Sequence, residues 1–567
     1  MSWLAGVATV RSYERAWLRD DLKAGVVLTA LLIPAGMGYA EAAGLPPVTG
    51  LYATIVPLLI YAIVGPSRIL VLGPDSALAP IIAAAVVPLA MGDPARAVAL
   101  AGLLAIMVGL VLVLAGVLRL GFVTDLLSKP IRVGYLNGIA VVVLISQTPK
   151  LLGFGIESRR PVVDVVTIST SLSETDLIAV AFGAASLAVI VVFRLVRSRV
   201  PGVLAAVAGS MLVAWLAGLA DDVPVVGALP QGLPAPALGG LAWSDVAALA
   251  GPALGIALIA FADTGVLSRT FAARHGRSVS GSREMAAIGI SNAASGLLGG
   301  FPISGSSSRT PVAEQAGART QLTGVVGALL VLAFMLLAPG VTAYLPSATL
   351  AAVVIVAAAS LIDVPGTLRL IRMSAVDGVL SIAAFLGVVL WGVLEGILVA
   401  IALSLVAFVN QAWRPYRAEL GRVAGVRGYH DLSRHPEGER VPGAVIVRFD
   451  APLFFANGGL FDDYVRSVVA AAPRDVHTVI LAAEPITDID TTAVDELVEL
   501  DDTLAARGIR LVIAEMKGPV KDQLRRYGLG ERFGPDRFAP TVGAAVDAIT
   551  GEFRTDIEPD SPNPGRG

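Results

Sequence analysis

The sequence has no cysteine and little charge, and both absences restrict what the protein can be. None of the 567 residues is Cys, which excludes disulfides, thiolate metal ligands and cysteine nucleophiles. Only 15% of the residues are charged, whereas soluble proteins carry about a quarter. Hydrophobic residues make up 55% and the mean hydropathy is +0.76. The chain is therefore predicted to be a polytopic membrane protein, and we expect no nucleic-acid partner.

Long apolar runs predict about fourteen membrane segments, each able to cross about 30 Å of hydrocarbon. Their approximate spans are 24–44, 50–64, 70–90, 97–118, 124–148, 177–196, 202–219, 248–268, 285–300, 303–317, 321–339, 345–362, 375–391 and 392–411. Residues 1–23 have no cleavable signal pattern, so we interpret them as an amphipathic cytoplasmic segment.

Lysine and arginine are concentrated before the first span and after the sixth, eighth and twelfth. The residues are Arg11, Arg15, Arg19 and Lys23; Arg194, Arg197 and Arg199; Arg269, Arg274, Arg277 and Arg283; and Arg369 and Arg372. Because cytoplasmic loops carry the excess of basic residues, these loops are predicted to lie inside. Both termini are then cytoplasmic, and the predicted location is the plasma (inner) membrane.

Two polar interruptions predict helices that begin midway through the membrane. GPDSALAP at 73–80 and FPISGSSSRT at 301–310 each place a proline and small hydroxyl residues before an apolar run. In transporters built from repeats, such broken segments mark the substrate site. Unpaired N–H groups at two facing half-helix starts would attract an anion.

The spacing of these interruptions predicts an inverted repeat. Pro74 lies 39 residues after Ala35, and Pro302 lies 39 residues after Asp263. Chance is the alternative explanation, because the equal spacing depends on taking Ala35 and Asp263 as the reference residues. The two repeats would cover about 24–219 and 248–411, within a transmembrane transport domain at 24–411.

Beyond residue 411 the pattern becomes that of a soluble domain. Residues 412–440 are polar, basic and glycine-rich, which favours a linker. From 441 to 550, short β-branched runs alternate with helical periodicity, which predicts a small α/β domain. Residues 551–567 are polar with several prolines and are predicted to be a disordered tail.

Several long motifs resemble the SulP anion-transporter family, which contains sulfate permeases and bicarbonate transporters. They are PAGMGYAEAAGLPPVTGLYATIVPLLIYAIVGPSR at 34–68, GPDSALAP, and FPISGSSSRT followed by GARTQLTGVVGALL; ITDIDTTAVDEL at 486–497 resembles a STAS domain. The resemblance implies an α-helical membrane protein with fourteen segments in a seven-plus-seven inverted repeat, as in the uracil permease. It also implies core and gate domains that move as an elevator, and a homodimer.

Candidate substrate ligands lie on the first span and on the two half-helices. They are Tyr39, Asp75, Ser76, Ala77, Ser306, Ser308 and Arg309. A charge at membrane depth needs a partner, so Arg309 either forms a structural ion pair or binds the anion. Its resemblance to the family's Ser-Arg pair favours the anion.

The other candidates each have a structural alternative. Ser304, Ser306, Ser307 and Ser308 could donate to an oxyanion, although one or two of them could equally be N-caps. Tyr39 could cover the anion or simply pack, and Asp75 could be an N-cap. Ala35 departs from the resembling proteins, many of which have Gln there.

Asp263 and Thr264, in the eighth span, are the candidates for binding a coupling ion, H⁺ or Na⁺. An intramembrane carboxylate is functional by default, although Asp263 could instead pair with Arg309. Glu41 and Glu395 are predicted to be structural. In the STAS domain, the resemblance makes Thr491, after Asp490, a possible phosphorylation site, and an Asp/Thr N-cap is the alternative.

These observations predict a secondary active transporter of small anions, a symporter driven by H⁺ or Na⁺. Sulfate is the favoured substrate. Bicarbonate and dicarboxylates suit the same groups. The alternatives are an uncoupled exchanger or channel, and a sensor that signals through its STAS domain. A serine hydrolase is excluded because the four histidines, His275, His430, His435 and His477, lie in loops or the soluble domain. We expect no enzymatic activity and no cofactor.

Overall fold

The computed structural model describes residues 13–121, 128–156, 161–196, 200–230, 235–473 and 476–551, together with Gly6, Ser198, Gly232 and Leu233. The chain divides into two compact units, Met1–Leu405 and Val406–Gly567. The predicted tail after Gly551, most of the segment 1–12, and Arg11, Arg197 and Arg199 lie outside the described residues.

The first unit is built from apolar helices. In chain order the helices up to the soluble domain are α1 (Leu18–Ala42), α2 (Pro47–Val64), α3 (Ala79–Ala90), α4 (Pro94–Val117), α5 (Lys129–Leu152), α6 (Pro161–Thr170), α7 (Leu177–Leu195), α8 (Gly202–Leu216), α9 (Trp243–Arg274), α10 (Gly281–Leu297), α11 (Arg309–Gln315), α12 (Leu322–Leu337), α13 (Ser347–Ala359), α14 (Val364–Met373), α15 (Ala375–Trp391) and α16 (Val393–Trp413). Among the described residues, seven helical segments are long and apolar enough to span a membrane, and five shorter helices are apolar. The chain is a multi-pass membrane protein, and the count of fourteen spans stays a prediction.

Local sequence explains several helix boundaries. Asp93 and Asp176 cap α4 and α7 by accepting the N–H groups of Ala95 and Ile178, each at 2.8 Å. Gly153 ends α5 in the left-handed conformation that glycine adopts at little cost. Helix α6 is not among the predicted spans, because it is too short to form a membrane-length apolar run.

Two short strands bring distant parts of the first unit together. Strand β1 (Leu72–Gly73) pairs antiparallel with β2 (Ser304–Gly305), with Leu72 opposite Gly305. Each strand follows two long helices and precedes a short one, α3 or α11, so the same succession occurs twice. An inverted repeat predicts that the two interrupted segments run in opposite directions where they meet.

The short helices begin later than the sequence predicts. Pro74 and Pro302 do not open them; α3 begins at Ala79 and α11 at Arg309. The intervening residues form the strand pair and turns instead. In the first turn, the backbone carbonyl of Asp75 accepts the N–H groups of Leu78 and Ala79.

A buried aspartate joins α1 to the start of α12. The Asp21 carboxylate accepts the backbone N–H groups of Arg319 at 2.7 Å and Thr320 at 3.0 Å. It also accepts the hydroxyls of Thr320 at 2.7 Å and Thr323 at 3.0 Å. Since these donors surround a helix start, one carboxylate satisfies several groups that would otherwise be unpaired.

The second unit contains a six-stranded sheet with helices on both faces. Its elements are β3 (Arg417–Arg422), β4 (Tyr429–Asp431), β5 (Ala444–Phe449), α17 (Gly458–Ala471), β6 (Thr478–Ala482), α18 (Thr491–Ala506), β7 (Arg510–Ala514), α19 (Gly518–Arg526), β8 (Phe538–Ala539) and α20 (Val542–Thr550). The strand order is β4-β3-β5-β6-β7-β8, parallel from β5 to β8. The predicted α/β domain is therefore present in this unit.

Residues 412–440, predicted to be a linker, instead contribute two strands to this sheet. Strand β3 pairs antiparallel with β5 and with β4. Ala418 and Leu420 alternate with more exposed residues and are buried on one face of the sheet. Six alternating residues among glycines and charged residues predict a strand only weakly. Strand β3 forms because β5 is available as its pairing partner.

Candidate functional site

Arg309 lies buried where the two short strands meet, at the first position of α11. Its side chain is 2% exposed. One guanidinium nitrogen, Nη2, donates to the carbonyl of Pro74, while Nε and Nη1 have no hydrogen-bond partner. Among the described residues no carboxylate oxygen forms an ion pair with it. A buried charge with unpaired donors is costly, so this guanidinium is available to an anion.

Gly73 makes room for the guanidinium. Its φ is +152°, and a Cβ added there would lie 3.0 Å from Nη1 of Arg309. A side chain at position 73 would thus be strained and would push against the charged group. The strand pairing between β1 and β2 places this glycine beside an arginine more than 200 residues away in sequence.

Hydrogen bonds fix the backbone that carries Arg309. The Ser306 hydroxyl accepts the Arg309 N–H at 3.1 Å and lies 3.2 Å from the Ser308 hydroxyl. The Ser306 N–H donates to the Val71 carbonyl at 2.9 Å, and the Val71 N–H donates to the Thr310 hydroxyl at 3.1 Å. Ser306 therefore has the capping role that the sequence offered as its alternative, while Ser308 stands beside it, more exposed.

Asp75 and Tyr39 lie within electrostatic reach of Arg309. The Asp75 carboxylate accepts the Ala77 N–H at 2.9 Å, which is the capping role considered for it. Its charge acts on both Arg309 and Tyr39. Tyr39, on α1, is buried beside Ser76. The structure thus brings together the predicted candidates from α1 and from both interrupted segments.

Asp263 is separate from Arg309. Among the described residues no hydrogen bond or ion pair engages its carboxylate, and the charges that act on it come from Asp75 and Arg132. The alternative that Asp263 only pairs with Arg309 is therefore wrong. The Thr264 hydroxyl donates to the Ala260 carbonyl at 2.5 Å and accepts the Gly305 N–H at 2.8 Å, so it ties α9 to β2.

Tyr135 is a residue that sequence reasoning missed. It lies on α5, 1% exposed, and its hydroxyl has no hydrogen-bond partner. Asp263 and Asp75 are the acidic groups that act on it. A tyrosine in an apolar helix resembles any packed aromatic residue, so only the tertiary structure reveals that it lies within electrostatic reach of both carboxylates.

Other predicted residues have simple structural partners. Glu41 pairs with Lys150 at 3.3 Å, in the structural role expected for it. In the second unit, Asp490 caps α18 by accepting the Ala493 N–H at 2.9 Å, and it also accepts the Phe455 N–H at 2.8 Å. Thr491 is exposed beside this cap.

Comparisons with protein families agree with this architecture. The model described as the sulfate permease family matches residues 18–384, and the one described as the STAS domain matches residues 435–545. The second match includes part of the predicted linker.

Two curated relatives have names that refer to sulfate. The protein named "Probable sulfate transporter Rv1739c" of Mycobacterium tuberculosis is 40% identical over 548 residues, which cover 96% of this chain and 98% of the relative. "Sulfate transporter 1.3" of Arabidopsis thaliana is 28% identical over 587 residues, covering 96% and 87%.

Solved structures share the fold. Murine SLC26A9, an anion transporter in the inward-facing state, has a TM-score of 0.90 at 22% identity and covers 97% of this chain and 94% of its own. The transmembrane domain of the cyanobacterial bicarbonate transporter BicA has a TM-score of 0.60 at 22% identity, covering 69% and 98%. The predicted fold class, a helical membrane protein with a C-terminal STAS domain, is confirmed.

Proposed function

The chain belongs to the sulfate permease family, as its motifs predicted, and on that basis we propose that it is a secondary active transporter of small anions with sulfate as its substrate. The names of the relatives support sulfate. Bicarbonate, for which the transporter BicA is named, is the second candidate because its charge and hydrogen-bonding groups suit the same donors.

The observation that carries this proposal is the buried guanidinium of Arg309 with two unpartnered nitrogens. An oxyanion can accept both N–H groups at once, because arginine presents its donors in a planar fork. Tyr39, Ser76 and Ser308 supply hydroxyls nearby. Ala77 lies in the turn that precedes α3. Asp75 acts against binding of a divalent anion unless a cation offsets its charge.

We expect Arg309→Ala to weaken sulfate binding by at least about 30-fold, since losing a desolvated charged partner costs about 2–5 kcal/mol. Calorimetry on purified protein measures this directly. Arg96, which already pairs with Asp245 at 2.9 Å, provides the control, and Arg96→Ala should retain sulfate affinity. Wild-type affinity in a folded Arg309→Ala protein would contradict the assignment.

Transport is proposed to be coupled to H⁺ or Na⁺ through Asp263, with Thr264 beside it. The support is its unengaged carboxylate close to Asp75, because a proton or cation there would offset charge in the site that the anion shares. Counterflow and uptake in proteoliposomes, with sulfate, bicarbonate and a dicarboxylate, with and without pH and Na⁺ gradients, test substrate and coupling together. Anion exchange unaffected by either gradient would favour an uncoupled exchanger.

The remaining parts of the proposal concern the whole protein. We propose an elevator movement of core against gate, a homodimer in the plasma membrane, and cytoplasmic termini. The STAS domain is proposed to regulate turnover. Exposed Thr491 is the proposed phosphate acceptor, since a phosphate at a helix N-terminus is electrostatically favourable.

A further inference from the structure

A cluster of basic residues lines a cavity whose walls do not include Arg309. The cavity has a volume of about 190 Å³ and lies between the segment after α2, the end of α9 and the segment before α12. Arg68, His275, Arg277 and Arg319 line it, and Ser67, Ser268 and Ser278 add hydroxyl groups. This space is several times the volume of one water molecule, so it can hold a phosphate group.

Two of these arginines have no partner of their own. Among the described residues, the guanidinium groups of Arg68 and Arg277 form no hydrogen bond and no ion pair within 4 Å. The Arg68 guanidinium lies 5.5 Å from the ring centre of Trp17, which restrains its position. Partial burial and then the nearby charge of Arg277 lower the pKa of Arg68, so the two guanidinium groups are close enough to repel each other.

The neighbouring acidic groups form their ion pairs with residues other than Arg68 and Arg277. Asp20 lies 3.7 Å from Arg319, and Glu314 lies 3.2 Å from Arg274 and 3.9 Å from His275.

Behind the cavity wall, Glu284 accepts the hydroxyls of Tyr61 and Ser67, the latter at 2.8 Å. Exposed Glu14 attracts Arg68 without forming an ion pair. Arg68 and Arg277 therefore carry positive charge that no carboxylate of the described residues neutralises by contact.

We propose that this cavity binds the tetrahedral oxyanion of a phosphate group. Two unpaired guanidinium groups lining one small space match the several acceptor oxygens of such an anion, and the Ser278 hydroxyl supplies a further donor. A bound phosphate would also remove the repulsion between Arg68 and Arg277.

The position in the chain connects this site to Arg309. Residues 66–70 form one wall of the cavity and lead directly into β1, which carries Gly73. Basic clusters at 11–23 and 269–283 place this face on the predicted cytoplasmic side. The phosphate could therefore belong to inorganic phosphate in the cytoplasm or to the headgroup of an anionic lipid, because basic pockets on that side suit both.

Hydrogen exchange on the full-length protein tests the proposal. The protein carries Arg309→Ala, so that phosphate cannot report on the site proposed for substrate. One arm adds inorganic phosphate to protein in phosphatidylcholine nanodiscs; the other replaces phosphatidylcholine with phosphatidylglycerol. We expect slower exchange in segments 67–70 and 276–279 in at least one arm. Protection by free phosphate identifies a soluble ligand, and protection only with phosphatidylglycerol identifies a lipid headgroup.

Matched variants show whether the cavity is responsible. Arg68→Gln with Arg277→Gln should weaken the effect at least about tenfold in ligand concentration. If the double variant does not fold, the single variant Arg277→Gln replaces it in the same measurement, because Arg277 lies in an exposed loop. Arg369→Gln with Arg372→Gln removes the same charge from exposed positions on α14 and should have no effect. Absence of protection in both arms, or equal protection in cavity and control variants, would overturn the proposal.

Discussion

At the scale of single residues, the site depends on how each polar group is satisfied inside the membrane unit. The Arg309 guanidinium has one hydrogen bond, to the Pro74 carbonyl, and two nitrogens without a partner. Ser306 and Thr264 have their hydrogen-bonding capacity directed to the backbone. The groups with spare capacity, Arg309, Asp263 and Tyr135, are therefore the ones that can respond to a ligand.

Ser306 should matter more than its neighbour Ser307. Ser306→Ala removes the hydroxyl that accepts the Arg309 N–H, so we expect a loss of about 1 kcal/mol in stability and weaker sulfate binding. Ser307 is exposed and has no hydrogen bond among the described residues, so Ser307→Ala is the control. Thermal unfolding and calorimetry measure both effects. Equal effects from the two substitutions would refute the capping role.

Asp263→Asn should separate coupling from binding. Without an ionisable carboxyl, we expect the variant to exchange anion for anion yet lose uptake driven by a pH or Na⁺ gradient. Both modes are measured on one reconstituted sample. Asp363→Asn makes the same chemical change at an exposed aspartate and should leave both modes intact. Gradient-driven accumulation at the wild-type level in Asp263→Asn would remove this residue from the mechanism.

At the scale of secondary-structure elements, short strands and capped helix starts hold the unit together. The pairing of β1 with β2 is two residues long, yet it joins the two interrupted segments. Asp21 performs a similar function between α1 and α12. In both cases a buried backbone end receives partners from a distant part of the chain.

Asp21→Ala should destabilise the membrane unit far more than Asp20→Ala. Asp21 is fully buried and accepts several hydrogen bonds, so we expect a loss of at least about 2 kcal/mol. Asp20 makes only a 3.7 Å ion pair with exposed Arg319, a type of pair worth about 0–1 kcal/mol. Thermal unfolding in detergent compares the two variants. Similar unfolding temperatures for both would contradict the interpretation of Asp21 as a helix cap.

At the scale of the whole molecule, the place where the soluble domain begins decides which truncations are tolerated. A chain ending at residue 413 removes the entire sheet, including β3 and β4. A chain ending at residue 440 keeps these strands without β5, which exposes Ala418, Leu420 and an unpaired strand edge. We expect the 413 truncation to be monodisperse and to bind sulfate, and the 440 truncation to aggregate. Size-exclusion chromatography distinguishes the two truncations. A monodisperse 440 truncation together with an aggregating 413 truncation would place the domain boundary at 441.

Sequence alone determined the class of the protein and most of its elements. Hydropathy located most of the helices of the membrane unit, because a membrane helix satisfies its own backbone hydrogen bonds and its length matches its apolar run. The predicted span 375–391 coincides with α15, for example. The short helices α6 and α14 fall outside the predicted spans. The prolines and hydroxyl residues around Arg309 also marked the interrupted segments, since their chemistry is local.

Only the tertiary structure decided how those parts meet. Strand β1 has two residues and no periodicity, so nothing local predicts its pairing with β2 or the place of Gly73 beside Arg309. Strand β3 exists because β5 completes its hydrogen bonds. The sequence left open an ion pair between Asp263 and Arg309, yet among the described residues no ion pair joins them. Long-range pairing sets each of these outcomes, and its free energy depends on residues far apart in the chain.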